Sequence, residues 1–436
     1  MSSAGRQQTT NPVELGLLAQ IPPARWPAWF GAPLRLLARR LLAGTSFGAI
    51  ELKLPDGSHV TAQGAQPGPA AVVVVQRWRA LARLALGGDR GFADAYLDGD
   101  WNTPELAALL EFGALNEAGW RGKLDACRPL KVLARIEHAR RANTRSGSRR
   151  NIAFHYDLGN DFYRHWLDAE LIYSSGIYSQ LATTLEQAQA AKIARVIELM
   201  QLDAAPQAAS VLEIGCGWGA LACALARRHG VHVTGLSLST QQLEHARARA
   251  AREGLQQLTD LRLQDYRDAG GCYDRIVSIE MMEAVGEHYW PDYFKALRAR
   301  LADGGRAVIQ AITIDEAHFE HYRANPDFIQ RHIFPGGMLP TTAALRREAE
   351  RAGLQLVHTE TFGASYAATL AEWRHRFVTA WPAIAALGYD LRFRRMWEYY
   401  LCYCEAGFRT QRVDVGLYTF VPARRGGKAE RLRNPV

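Results

Sequence analysis

The chain has 436 residues, 48% hydrophobic, 22% charged and 10% aromatic, ordinary globular values that exclude a mainly disordered, collagen-like or coiled-coil protein. At this length two domains with a sizeable core are expected. The formal charge is 52 minus 44, or +8, and all of the excess lies in residues 1–150, where 20 Lys and Arg face 12 Asp and Glu; residues 151–436 hold 32 of each.

Taken in chain order, Met1 to Pro12 lacks a positive stretch followed by an apolar one, so no secretory signal is expected. No apolar run reaches the roughly 18 to 20 residues of a membrane span, and a cytoplasmic protein is expected. Residues 26–42 join Trp26, Trp29 and Phe30 to a leucine-rich run with Arg35, Arg39 and Arg40. Such a segment either lies flat in a bilayer interface or packs as an amphipathic helix on its own domain, and the second reading is preferred. Glu51 to Val75 reads as short strands around the turn Pro55-Asp56-Gly57, with a Gly/Pro-rich connection over Gly64–Pro69 and a buried strand at Ala70–Val75. Segment 121–150 carries ten basic residues against Asp125 and Glu137. That stripe suits a polyanionic surface, lipid headgroups or nucleic acid, and equally a solvated linker. Residues 140–150 make the best linker, dividing a domain 1–145 from a domain 146–436.

From about residue 185 helix and strand alternate. Leu185–Met200, Ala220–His229 and Gln241–Glu253 have helical periodicity, while Ser210–Ile214, Val231–Leu236, Leu261–Leu263 and Arg275–Ile279 read as strands. The alternation predicts an α/β fold with a doubly wound, mostly parallel sheet, and ligands in that architecture bind at the carboxyl ends of the strands. There the first strand runs into Glu213-Ile214-Gly215-Cys216-Gly217-Trp218-Gly219. Three alternating glycines before a helix allow a ligand to approach the backbone closely. A nicotinamide fingerprint would demand Gly-x-Gly-x-x-Gly and an acid ending the next strand; that strand ends at Leu236-Ser237 without one. The six cysteines show neither a Cys-x-x-Cys pair nor zinc spacing, so no disulfide framework and no metal is expected.

Several motifs in one order complete the reading: Asn151 to Tyr163 (NIAFHYDLGNDFY), Tyr173-Ser174-Ser175-Gly176, Glu213 to Gly219, Val233 to Gln242, Ser278 to Gly286, Ile333 to Pro340, and Ser365 to Leu370. Over about 145 to 415 the chain resembles the cyclopropane fatty-acyl-phospholipid synthases and mycolic-acid cyclopropane synthases, class I, Rossmann-like methyltransferases that use S-adenosylmethionine. Upstream, Ala95 to Trp101 looks like the extra N-terminal domain of the bacterial phospholipid enzymes.

The resemblance implies that Tyr173 and Ser174 close over the sulfonium and amino-acid part, that Glu213, Gly215 and Gly217 admit the methionine and ribose, that Ser237 and Gln242 replace the usual ribose acid, and that Asp265 and Tyr266 hold the adenine. A cationic sulfonium needs no phosphate-binding Lys, and the glycine loop has none. The reaction presses a poor nucleophile, an alkene, against the activated methyl group, and the carbocation that follows wants electron-rich surroundings. Phe154, Tyr156, Phe162, Tyr163, Phe334 and Tyr366 are candidates, with Phe154, Tyr156 and Phe334 assigned to the substrate pocket. Ring closure needs a base, which in the family is a bound bicarbonate held by a Cys, a Glu, a His, a Tyr and a backbone group. Glu283, Tyr366 and the Ile279 backbone match three of these; Ser175 stands in place of the Cys and Gln310 in place of the His. Ser and Gln still donate hydrogen bonds to an anion, but neither titrates.

The expected activity is conversion of cis double bonds in the acyl chains of membrane phospholipids to cyclopropanes; the alternative is methyl transfer to the same alkene giving a methyl-branched or methylene product. The implied partner is the inner face of the membrane, held peripherally. Nucleic acid is not expected, because no Asp/Asn-Pro-Pro-Tyr site for flipped bases is present. The resemblance makes a homodimer reasonable.

Overall fold

A computed structural model describes residues 28–120, 158–205 and 209–423. Contacts divide the chain into two compact units, Met1–Glu105 with Asn116–Asp125, and Leu106–Leu115 with Ala126–Val436. The boundary expected near 145, the basic stripe 121–150, Phe154 and Tyr156 lie outside the described residues.

In the first unit the helix Ala28–Leu42 precedes strands β1 (Phe47–Lys53), β2 (His59–Gln63) and β3 (Gln66–Val75), and a short β4 (Trp101–Asn102) completes a sheet of order β2-β1-β3-β4. The helix buries Ala38, Leu41 and Leu42 and leaves Leu36 exposed, as an amphipathic helix packed on its own unit does. The stretch Gly64–Pro69, expected as a connection, is strand from Gln66 onward. Its prolines are tolerated because β3 bulges there: between the pairs Phe47–Gln66 and Ala49–Ala70 the single Gly48, at φ 66°, faces Pro67, Gly68 and Pro69, which bypass the ladder. Within the Ala95–Trp101 motif, Asp100 is fully buried and accepts hydrogen bonds from Arg77 and Arg79, while the Trp101 ring stacks on Phe92 at 4.2 Å. These contacts give that motif a structural role.

The second unit is built on seven strands: β5 (Ser210–Ile214), β6 (His232–Ser237), β7 (Thr259–Leu263), β8 (Tyr273–Ile279), β9 (Leu301–Ile314), β10 (Leu354–Thr361) and β11 (Val413–Pro422), in the order β10-β11-β9-β8-β5-β6-β7. Strands β5 to β9 are mutually parallel, and β11 is antiparallel to both β9 and β10. The expected doubly wound sheet is therefore present, with one antiparallel strand added. Alternate residues of each strand serve opposite faces. Val211 and Val277 pack with the helices Leu185–Met200, Ala220–His229 and Thr240–Arg252; Leu212 and Ile276 pack with Trp290–Arg300 and Thr342–Arg351. The first of these helices starts at a capping box, Thr184 with Gln187, that satisfies two otherwise orphaned backbone donors.

From β5 the chain moves outward through β6 and β7, then crosses to β8 on the other side of β5. The strand order reverses between β5 and β8, which opens a crevice beyond their carboxyl ends. Glu213 and Gly215 lie at one lip, and Ile279 and Glu280 at the other.

Candidate active site

The loop after β5 is shaped by three glycines with positive φ: Gly215 (85°), Gly217 (51°) and Gly219 (84°). They serve different ends. A Cβ on Gly219 would sit 2.9 Å from the Ala246 Cβ, so its absence lets the loop dock on the helix Thr240–Arg252, whereas a Cβ on Gly217 would meet nothing within 4 Å. Gly217 thus presents bare backbone to open space. Beside it, Glu213 is buried with Oε2 unpartnered, and burial pushes its carboxyl up to about 8.

At the end of β6 the Ser237 hydroxyl donates to Gln242 Oε1 at 3.2 Å, and Ser239 caps the following helix through the Gln242 N–H. The two residues expected at a ribose are therefore together and buried. Asp265, expected at the adenine, has both carboxylate oxygens on the Arg267 guanidinium and Oδ1 also on the Arg267 N–H. The Tyr266 ring meets Tyr293 edge-on at 5.6 Å, with the Arg267 guanidinium 5.6 Å from its centre.

Across the crevice, Tyr173 is wrapped by Tyr163, Trp166 and Trp373, and its hydroxyl meets that of Tyr400 at 2.8 Å. The Phe334 ring lies edge-on to Tyr400, 6.2 Å away. Phe162 and Tyr163 are fully buried in a cluster of rings with Trp166, Phe377, Phe393 and Trp397, so the aromatic faces expected of them serve the core. Ser174 accepts a hydrogen bond from the Lys192 ammonium at 2.7 Å. Lys192 is 3% exposed; burial lowers it to about 8, against the pull of Glu280, Asp168 and Glu213. Sequence reasoning missed this lysine, yet its place was readable: it stands four residues from both Ala188 and Val196, in the apolar stripe of its helix.

The anion cradle assembles around a residue not anticipated. The Ser175 N–H and the Gln310 amide donate to Glu280 Oε1 at 2.8 and 2.7 Å, and the Tyr366 hydroxyl donates to Oε2 at 2.6 Å. Glu280 follows β8 with φ 46°, a left-handed backbone unusual for a glutamate. Burial raises its carboxyl, opposed by the three donors and by Lys192. The Ser175 hydroxyl turns away and donates to Gly176 O. Glu283, expected in the cradle, stands apart: Oε1 accepts the Ile312 N–H, and Oε2 is buried without a partner. Its carboxyl is pushed up to about 8 by burial and by neighbouring Glu280. Ile279 closes β8 opposite Gln310.

These residues fit S-adenosylmethionine: a loop open to close backbone approach, an unpartnered buried acid for a cationic ligand, and a polar pair at the end of β6. Bound there, it supplies an electrophilic methyl group. They do not fit a free bicarbonate in the same way, because Ser175, Gln310 and Tyr366 are already engaged by Glu280.

The family model described as Mycolic acid cyclopropane synthetase matches residues 143–417. The chain is 38% identical to the tuberculostearic acid methyltransferase UfaA1 of Mycobacterium tuberculosis, over 92% of this chain and 96% of that protein. It is 35% identical to the cyclopropane-fatty-acyl-phospholipid synthase of Escherichia coli, over 78% and 84%. The mycolic acid cyclopropane synthase CmaA1, crystallised with SAH and CTAB, superposes with a TM-score of 0.58 at 28% identity, covering 62% of this chain and 97% of that one. With the sheet order and the glycine loop, these matches place the chain in the mycolic acid cyclopropane synthetase family, as an S-adenosylmethionine-dependent methyltransferase of lipids.

Proposed function

We propose that the protein methylates the cis double bond of an unsaturated acyl chain carried by a membrane phospholipid, and that a proton then leaves to close a cyclopropane ring. The observation that carries this reading is the cradle of Ser175, Gln310, Tyr366 and Glu280, a buried proton-accepting group set among aromatic rings beside the cofactor loop. Transfer to an alkene leaves a carbocation, which the faces of Tyr366, Tyr173 and Phe334 are suited to stabilise at about 0.5–2 kcal/mol each. Transfer to an oxygen or nitrogen nucleophile also releases a proton but forms no carbocation, and so would not need the aromatic faces. The 35% identity to a cyclopropane-fatty-acyl-phospholipid synthase supports the phospholipid substrate. A second reading, in which the proton is lost without ring closure and a methylene or methyl branch results, is favoured by the match to a tuberculostearic acid methyltransferase over nearly its whole length. On either reading the enzyme works peripherally at the cytoplasmic face of the membrane, with segment 121–150 against anionic headgroups.

Vesicles of dioleoyl phospholipid incubated with the protein and S-adenosylmethionine test this. Equal formation of S-adenosylhomocysteine and a fatty acid one CH₂ heavier is expected, with ring protons in its NMR spectrum, and no product from saturated chains. Olefinic methylene protons instead would establish the second reading, and turnover on saturated chains would overturn both.

A further inference from the structure

Glu280 occupies the seat that the resemblance assigns to a free anion. Its Oε1 takes two hydrogen bonds and its Oε2 one. A carboxylate offers about four acceptor sites, so one lone pair of Oε2 is left over. Around it stand Tyr366 and, acting through charge, Lys192. The donors hold the carboxylate from one side, as they would hold a dissolved anion, and the chain supplies the anion itself.

The two departures from the family pattern fall into place with this. A cradle built on Ser175 and Gln310 brings no titratable partner, so the base must bring its own charge. Glu283 is poorly suited to that role: pushed up to about 8, it is mainly protonated at neutral pH, and a neutral neighbour favours the ionised form of Glu280. Burial raises both carboxyls, but only Glu280 has three hydrogen-bond donors and the Lys192 ammonium acting against that rise.

We propose that the Glu280 carboxylate is the resident proton acceptor of the reaction, taking the place of bicarbonate. The inference rests on the alkene reading above. The bond between sulfur and the methyl carbon breaks as the alkene π pair forms the new C–C bond, leaving the charge on the neighbouring carbon. A C–H bond of the delivered carbon then breaks, its electron pair closes the second C–C bond, and the proton passes to Glu280 Oε2. Where a hydride shifts first, the same pair forms a methylene double bond. Glu280 returns the proton to water after the product leaves, so no oxidant or free base is consumed.

The test compares the parent with Glu280→Gln and Glu280→Gly on dioleoyl phospholipid vesicles, in CO₂-free buffer and with added bicarbonate. Gly suits the left-handed backbone at this position, so that variant should fold. The parent should turn over equally in both buffers. Glu280→Gln should lose about 100-fold or more in kcat, the size of a lost general base, with S-adenosylmethionine affinity nearly unchanged. Glu280→Gly should be as impaired without CO₂ and should recover about tenfold or more when bicarbonate fills the vacated seat, whereas a merely structural glutamate would show no such rescue. A parent that slows on bicarbonate removal, or a Glu280→Gln enzyme close to parental rate, would overturn the proposal. If the parent fails to methylate the lipid at all, the substrate reading fails by itself. ¹³C NMR of labelled bicarbonate then decides the cradle: binding to Glu280→Gly but not to the parent is expected, and binding to the parent would overturn it.

Discussion

At Gly217 the backbone is left-handed and the side toward the crevice is open. Replacing it with Val fills that space with a branched side chain and costs about 1–2 kcal/mol for the backbone alone. A folded Gly217→Val protein should therefore lose S-adenosylmethionine binding by calorimetry, and near-parental affinity would remove the loop from the cofactor site. Glu283 makes a different prediction. Its carboxyl moves from 4.5 to about 8 on folding, so between these values the folded chain keeps a proton that the unfolded chain releases. Rising pH then favours unfolding, and this contribution to stability, complete below about 4.5, is gone above about 8. Glu283→Gln mimics the protonated group and removes that dependence. Denaturation at pH 5.5 and 8 should show the variant gaining on the parent as pH rises; parallel behaviour would mean that Glu283 is ionised throughout. The glycine loop was legible in its own spacing, while the grouping of Ser175, Gln310 and Tyr366 was legible only through the family resemblance. Glu280 was not, although it lies in the same motif as Glu283. Nothing in the letters announces a glutamate at φ 46°, and that turn decides which of two acids three residues apart enters the cradle.

Among the elements, those with a strong period were read nearly to their ends: Leu185–Met200, Ser210–Ile214 and Ala220–His229 fall where expected. Apolar periodicity and flanking glycines or caps agree there, so local and tertiary preferences coincide. Strand β3 was only half legible. Its first residues, Gln66-Pro67-Gly68-Pro69, have turn chemistry, and what lets them run as strand is that they bulge past Gly48, on a neighbour nearly twenty residues earlier. The Gly68 Cα hydrogens face Gly48 so closely that a Cβ would lie 2.8 Å from its nitrogen. That packing is a property of two strands together. The long β9 is similar: its Gly304, at φ 76°, loops out between the pairs Tyr273–Leu301 and Arg275–Arg306, so a turn sits inside a continuous strand.

For the whole molecule, residues 151–436 are balanced in charge and the whole basic excess lies before them. If segment 121–150 meets anionic lipid, each basic residue contributes on the order of 1 kcal/mol and salt screens the effect. Changing Arg140, Arg141, Arg149 and Arg150 to Gln should weaken co-sedimentation with anionic vesicles at low salt and leave S-adenosylmethionine affinity alone. Equal sedimentation would identify the segment as a solvated linker.

The position of β11 also bears on how the protein is made. This strand, residues 413–422, lies between β9 and β10 and is hydrogen-bonded to both. Until the ribosome has delivered it, β9 and β10 have no ladder to join them, and each presents an unpaired edge to whatever else the cell contains. The half of the sheet that carries the cofactor loop, β5 to β8, can assemble from earlier residues. Gln310, on β9, pairs with Ile279 of β8 on one side and gains its second neighbour, Leu417, only when the last strand is inserted. The edge of β9 that carries Gln310 is thus among the last parts of the sheet to be closed.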